Sequence, residues 1–184
     1  HEMHQCEKDA KEKIEAAYPG RKLIMGRTAH LTEPTEEQLD LGRGQCQSRN
    51  ECQRGCSWGG YFSSVAATLP AARNTGNMTL RPNSAVQSVI YDEKSGKASG
   101  LKIIDTVTKQ TSVIKARVIF MCASTLASTQ ILMNSRSEKY ANGIGNKSGV
   151  LGHYLMDHIN GAGARAWVDG YEDQYYRGRR PTGL

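Results

Sequence analysis

The sequence predicts an α/β fold, and three observations carry that expectation. Three short β-rich runs separated by polar turns lie between Ala85 and Ala116. Val118-Ile119-Phe120-Met121-Cys122 is a continuous apolar run without alternation, the pattern of a strand buried on both faces in a parallel sheet. That run passes directly into Ala123-Ser124-Thr125 and then a helical pattern carrying Leu126, Ile131, Leu132 and Met133. A buried strand, a small-residue turn and a helix make half of a βαβ nucleotide-binding unit.

Taken in chain order, residues 7–17 are strong helix formers with i,i+4 charge pairs, and Pro19-Gly20 ends them. Lys22 to Leu31, with Leu23, Ile24 and Met25, reads as a strand. From Thr32 to Gly60 the chain turns polar and rich in Gly and Cys; a loop of that length in a compact domain usually carries function. Tyr61 to Arg73 reads as a helix despite Pro70, started by Ser63 and Ser64 and stopped by Asn74-Thr75-Gly76. Met78 to Leu80 and Ala85 to Tyr91 are β-rich. Turns at Asp92 to Lys97 and around Thr108-Lys109-Gln110 then separate Leu101 to Val107 from Ser112 to Ala116, giving an antiparallel meander. Beyond Ser135 the chain is Gly-rich, with a short helix expected near Tyr154 and a strand near Ala164 to Val168. The expected organisation is 1–60, an N-terminal helix and Cys/Gly-rich loop; 61–135, helix, meander, buried strand and helix; and 136–184, the start of another domain.

Composition narrows the class. The chain has 184 residues, 38% of them apolar, and its longest apolar run, Val118 to Ala123, is far below the roughly 20 residues a membrane-spanning helix needs. The net charge of +6 concentrates in Arg165, Arg177, Arg179 and Arg180, near Tyr171, Tyr175 and Tyr176. Asp169, Glu172 and Asp173 interrupt this basic-aromatic set and no basic helix accompanies it, so nucleic acid is not expected as a partner. The absence of Met at position 1 and of a closing element after Arg179 reads as an internal piece of a longer protein.

Cys46, Cys52 and Cys56 form C-x5-C-x3-C, with Cys6 and Cys122 elsewhere. An odd count does not suit a simple disulfide framework. Free thiols are one reading. Zinc is another, although structural zinc prefers shorter spacings and needs a fourth ligand, for which His30 is the candidate.

Gly55-Cys56-Ser57-Trp58-Gly59-Gly60, Thr68-Leu69-Pro70-Ala71-Ala72 and Leu80-Arg81-Pro82-Asn83-Ser84-Ala85-Val86 resemble, in order, the middle of the glucose-methanol-choline (GMC) family of FAD-dependent oxidoreductases. Val118 through Ser128 resembles that family's second FAD-domain strand and turn. Asn142-Gly143-Ile144-Gly145-Asn146, continuing through Leu151-Gly152-His153-Tyr154-Leu155-Met156-Asp157-His158, resembles its Gly-Leu-Gly-Asn to Leu-x-Asp-His stretch. The resemblance runs from about Cys46 to His158, roughly 60% of the chain.

The resemblance implies part of a Rossmann-like FAD-binding domain with an inserted β-meander, followed by the start of a substrate-binding domain. It implies an enzyme that oxidises a CH–OH group of an alcohol or sugar by hydride transfer to flavin, as a dehydrogenase or oxidase. The family's N-terminal G-x-G-x-x-G and its catalytic histidine segment are not in this sequence, so this stretch alone is expected to be inactive. Val86 resembles the valine whose backbone meets the adenine. Cys122, Ala123 and Ser124 resemble the small-residue turn against the adenosine half of FAD, where the family usually has Gly in place of Ser124. The cysteine spacing resembles the trio that holds a three-iron four-sulfur cluster in large subunits of bacterial sugar and polyol dehydrogenases, which implies an electron-transfer subunit and a periplasmic setting; the thiols by themselves favour a reducing compartment such as the cytoplasm. The whole reading treats 118–122 as an interior strand with room for a nucleotide beside Val86.

Two rival readings stand beside it. Gly55-Cys56-Ser57-Trp58-Gly59 satisfies G-x-S-x-G, the nucleophile elbow of serine hydrolases, which requires a buried strand before Ser57; Gln47 to Arg54 is polar. The other rival is a non-enzymatic interaction module built on the meander alone. His153, Asp157 and His158 read as a structural turn in preference to a metal site.

Overall fold

The computed structural model describes residues 2–49, 51–159, 161, 163, 167 and 169–171. Two compact units divide them between Thr79 and Leu80, the second being Leu80–Gly163.

In the first unit, helix α1 (Gln5–Ala17) opens with a capping box in which the Glu7 carboxylate accepts the His4 backbone N–H at 2.7 Å. Glu15, near its end, accepts the backbone N–H of Leu23 at 3.0 Å and tethers the segment that follows. That segment is not the strand expected over 22–31: only His30 bridges, antiparallel, to Tyr61. A run of three apolar residues does not make a strand where no second strand lies alongside to take its backbone groups. A five-residue helix, α2 (Glu36–Asp40), starts at Thr35, whose hydroxyl accepts the Gln38 N–H. A single 3-10 turn follows at Cys52–Arg54.

The helix expected over 61–73 is shorter, α3 (Thr68–Asn74). Pro70 is the reason: without an N–H it is tolerated in a helix's first turn and breaks the interior. A helix starting at Tyr61 places Pro70 deep inside, whereas one starting at Thr68 places it third. Met78 to Leu80, expected to be β-like, is irregular.

The second unit carries the meander as expected: β1 (Ser84–Asp92), β2 (Lys97–Asp105) and β3 (Thr111–Lys115), antiparallel in the order β1-β2-β3. The register pairs Val89 with Leu101 and Leu101 with Ile114, and two irregularities interrupt β1, between Val86 and Ser88 and between Ile90 and Tyr91. Each turn is closed by an aspartate. Asp92 accepts the Lys94 N–H and the Ser95 hydroxyl, and Asp105 accepts the N–H groups of Val107 and Thr108. Helix α4 (Ser124–Asn134) packs on β1. Val89, Ile103 and Ile131 are buried there, around Ser135. The Ser135 hydroxyl accepts the Val89 N–H at 2.7 Å and donates to the Ile131 carbonyl at 2.6 Å, stitching sheet to helix.

The expectation for Val118 to Cys122 is overturned. The stretch is not a strand, and Val118 is 67% and Phe120 83% exposed. A parallel strand exists only where neighbours accept and donate its backbone hydrogen bonds, and the sheet of the described residues ends at β3. The short helix expected near Tyr154 is absent too; residues 153–159 are irregular and exposed. The strand expected over 164–168 lies outside the described residues. What holds of the predicted class is a mixed helix and sheet fold with a three-stranded antiparallel sheet.

Candidate functional site

Two places in the fold carry the sequence-predicted residues. In the first unit, three extended segments knot together. Leu31 donates to the Gly60 carbonyl at 2.8 Å and accepts from the Cys46 N–H at 2.8 Å, and Phe62 donates to the Ala29 carbonyl at 2.9 Å. The crossing is tight at Gly60, where a Cβ would lie 3.1 Å from the Cys46 backbone and the neighbouring chain would have to give by a few tenths of an ångström. Arg43 is buried beneath it, donating through Nε to the Gly59 carbonyl at 3.0 Å, with its guanidinium over the Phe62 ring.

This knot gathers Cys46, Cys52, Cys56 and His30 around one cavity of about 10 Å³. The His30 ring lies 5.0 Å from that of Tyr61, and its Nε2 stands 3.6 Å from Cys52 Sγ. Burial lowers the His30 pKa. Burial raises that of Cys52, and the neighbouring Cys46 and Cys56 add to the rise. Cys56 goes the other way: burial pushes its thiol up, but the backbone N–H groups of Tyr61, Trp58, Gly60 and Gly59 outweigh that and bring it below the ordinary value. The chain turns back on itself after Cys56, with the Gly59 N–H bonded to the Cys56 carbonyl at 3.0 Å and Gly59 at φ 61°. These amide dipoles favour the charged form of the Cys56 thiol. The contact between His30 and Cys52 had only the weak signal of two ligand-type residues 22 positions apart.

A three-iron four-sulfur cluster needs three thiolates around a space many atoms wide. The cavity here holds roughly one water. Among the described residues no group of three His, Cys, Asp or Glu side chains is arranged to hold a metal ion. The pocket as folded therefore does not fit the cluster.

Ser57 does not sit on a nucleophile elbow. A 3-10 turn precedes it instead of a buried strand, and its exposed hydroxyl donates to Glu51 at 3.4 Å.

In the second unit, Val86 is half-buried on β1, and Cys122, Ala123 and Ser124 are exposed at the start of α4. No side chain caps this helix start, and Ser124 has φ 66°. Gln87, skipped by the β1–β2 register beside Val86, keeps a buried Oε1 with no hydrogen-bond partner among the described residues. With 118–122 not an interior strand, no vacant space beside Val86 is formed by that stretch, and neither Val86 nor Cys122, Ala123 or Ser124 lines the cavity beside α4. An open cavity of about 460 Å³ lies between α4 and residues 152–155, lined by Leu126, Met133 and Leu155 with Arg136 and His153. His158 donates its N–H to the Asp157 carboxylate, a local turn. No helix among the described residues is long and apolar enough to cross a membrane.

Comparison with known proteins agrees with the order of motifs. The chain is 34% identical over 80 residues to 2-methyl-1,2-propanediol dehydrogenase of Mycolicibacterium austroafricanum, covering 44% of this chain and 14% of that protein. It is 26% identical over 117 residues to the fructose dehydrogenase large subunit of Gluconobacter japonicus, covering 64% and 21%, and 27% identical over 135 residues to paromamine 6'-oxidase of Streptomyces fradiae, covering 70% and 25%. The chain thus spans at most a quarter of the length of these curated relatives. The family model of GMC oxidoreductases matches residues 31–160, which takes in the cysteine knot, the meander and α4 alike, and on that match the chain belongs to the GMC oxidoreductase family.

Proposed function

We propose that the full-length protein is an FAD-dependent oxidoreductase that oxidises a CH–OH group of an alcohol or sugar. The family match over 31–160 carries this reading. It is supported by relatives named for a diol, for fructose and for paromamine, two of them dehydrogenases and one an oxidase. FAD, when bound, supplies the acceptor for the hydride leaving the carbinol carbon. By the family resemblance, this chain's share in the full-length protein is to hold the cofactor's adenosine end: the Val86 backbone at the strand edge reads the adenine, and Cys122, Ala123 and Ser124 keep the approach clear because none carries a bulky side chain. The "large subunit" in one relative's name supports an electron-accepting partner subunit. The cysteine pocket plays no part in this reading.

The visible spectrum of the full-length protein tests it. Two flavin bands, bleached anaerobically by a polyol or sugar, are the expected result. A protein purified without any flavin, and taking up none when FAD is added, overturns the proposal.

A further inference from the structure

The open cavity beside α4 carries an inference separate from the flavin reading. We propose that it is a binding site for an amphipathic carboxylate, a small molecule with an apolar body and one carboxyl group, anchored by Arg136. The floor is one face of the helix: Leu126, Thr129, Gln130 and Met133 recur at the three- and four-residue spacings that place side chains on the same side. Gly152 to Leu155 make the opposite wall, and the loop that carries them is tied down by its own backbone. The Ile144 N–H is shared between the carbonyls of Leu132 and Ser135 at 3.1 and 3.0 Å, the Leu151 N–H donates to the Asn146 side-chain oxygen at 3.1 Å, and the His153 N–H donates to the Val150 carbonyl at 3.0 Å. Gly152, at φ 84°, lies so close to the helix that a Cβ there would stand 3.2 Å from the Met133 sulfur. The space between floor and wall is about 460 Å³, within the roughly 300–1,000 Å³ that small-molecule sites occupy.

The lining selects the ligand. Arg136 and His153 border the cavity and no acidic side chain does. The Arg136 guanidinium makes no ion pair among the described residues, so its planar fork of donors is open to a carboxylate, the group that fork matches in geometry and charge. Leu126 and Leu155 are 70% and 69% exposed, and an apolar body laid between them removes that surface from water. A sugar or polyol lacks such a body, and a neutral alcohol leaves the guanidinium unanswered. The substrate class proposed above therefore does not suit this groove, whereas a carboxylate on a hydrocarbon chain satisfies both halves of it.

The test is isothermal titration of the full-length protein with octanoate and with octanamide, its uncharged counterpart of the same length. Octanoate is expected to bind, and octanamide to bind at least about tenfold more weakly, because the amide forms no charged fork with the guanidinium. Arg136→Gln should bring octanoate down to the level of octanamide and leave octanamide where it was. Leu126→Glu, which sets a carboxylate in the mouth of the groove, should also weaken octanoate. Both positions are exposed, so neither substitution disturbs a core. No octanoate binding by the wild-type protein, equal binding of the two ligands, or octanoate binding unchanged in Arg136→Gln each overturns the proposal. Loss of flavin from Arg136→Gln overturns it too, by making the groove part of the cofactor site. The wild-type flavin spectrum is read separately, so this proposal fails or stands apart from the flavin reading.

Discussion

Single residues in this chain carry more than their type announces. Ser124 is the clearest: it opens α4 at φ 66°, in the left-handed region where a Cβ crowds the backbone. That conformation costs roughly 1–2 kcal/mol for an L residue, against about 0.5–1 kcal/mol of extra chain entropy that glycine loses on folding. Ser124→Gly is therefore expected to raise stability by up to about 1 kcal/mol, read as a higher urea midpoint at unchanged slope. The family resemblance gave notice of this position, since glycine is usual there, but the strain itself was illegible: small residues before a helix do not announce a positive φ. The Ser135 hydroxyl, bonded on both sides in the core, was equally hidden. A serine after a helix has many surface uses, and only the fold shows that this one replaces a missing β1 partner.

At the scale of elements, local chemistry predicted well wherever it was sufficient. The meander follows from β-branched runs broken by Asp92 to Gly96 and Asp105 to Gln110, turns whose aspartates satisfy the backbone donors themselves. Those carboxylates titrate below the ordinary aspartate range, Asp92 chiefly through the Ser95 hydroxyl and Asp105 chiefly through the Thr108 N–H. Their contribution to stability is thus fully present above about pH 4, where an unfolded aspartate is charged, and is lost as pH falls through the lower folded values. Stability measured by urea titration should decline on acidification below pH 4, and the double variant Asp92→Asn with Asp105→Asn should show a flatter decline. Pro70 teaches the complementary lesson. Its position in α3 is decided by the missing N–H, a local fact that outweighs the wider apolar pattern from Tyr61 onward.

Across the whole molecule, what the sequence could not supply was the company an element keeps. Val118 to Cys122 has the spelling of an interior strand, yet burial is a property of neighbours, and among the described residues no strand pairs with it: Ile119 and Met121 are half-buried while Val118 and Phe120 are exposed. The residues that form the second unit's core, Val89, Ile103 and Ile131, come from segments whose apolar character is less continuous. The two classes of position should respond oppositely to truncation in this chain. Ile103→Ala removes a side chain only 2% exposed and should cost roughly 2–5 kcal/mol, while Phe120→Ala should leave the urea midpoint nearly unmoved. A large loss on Phe120→Ala would return 118–122 to the interior.

β3 has one further consequence. It is the outermost member of the meander, five residues long, every one of them exposed, and it ends in Lys115. A border so short and terminated by a cation offers little template for stacking copies side by side, so β3 discourages fibrous growth through its own brevity.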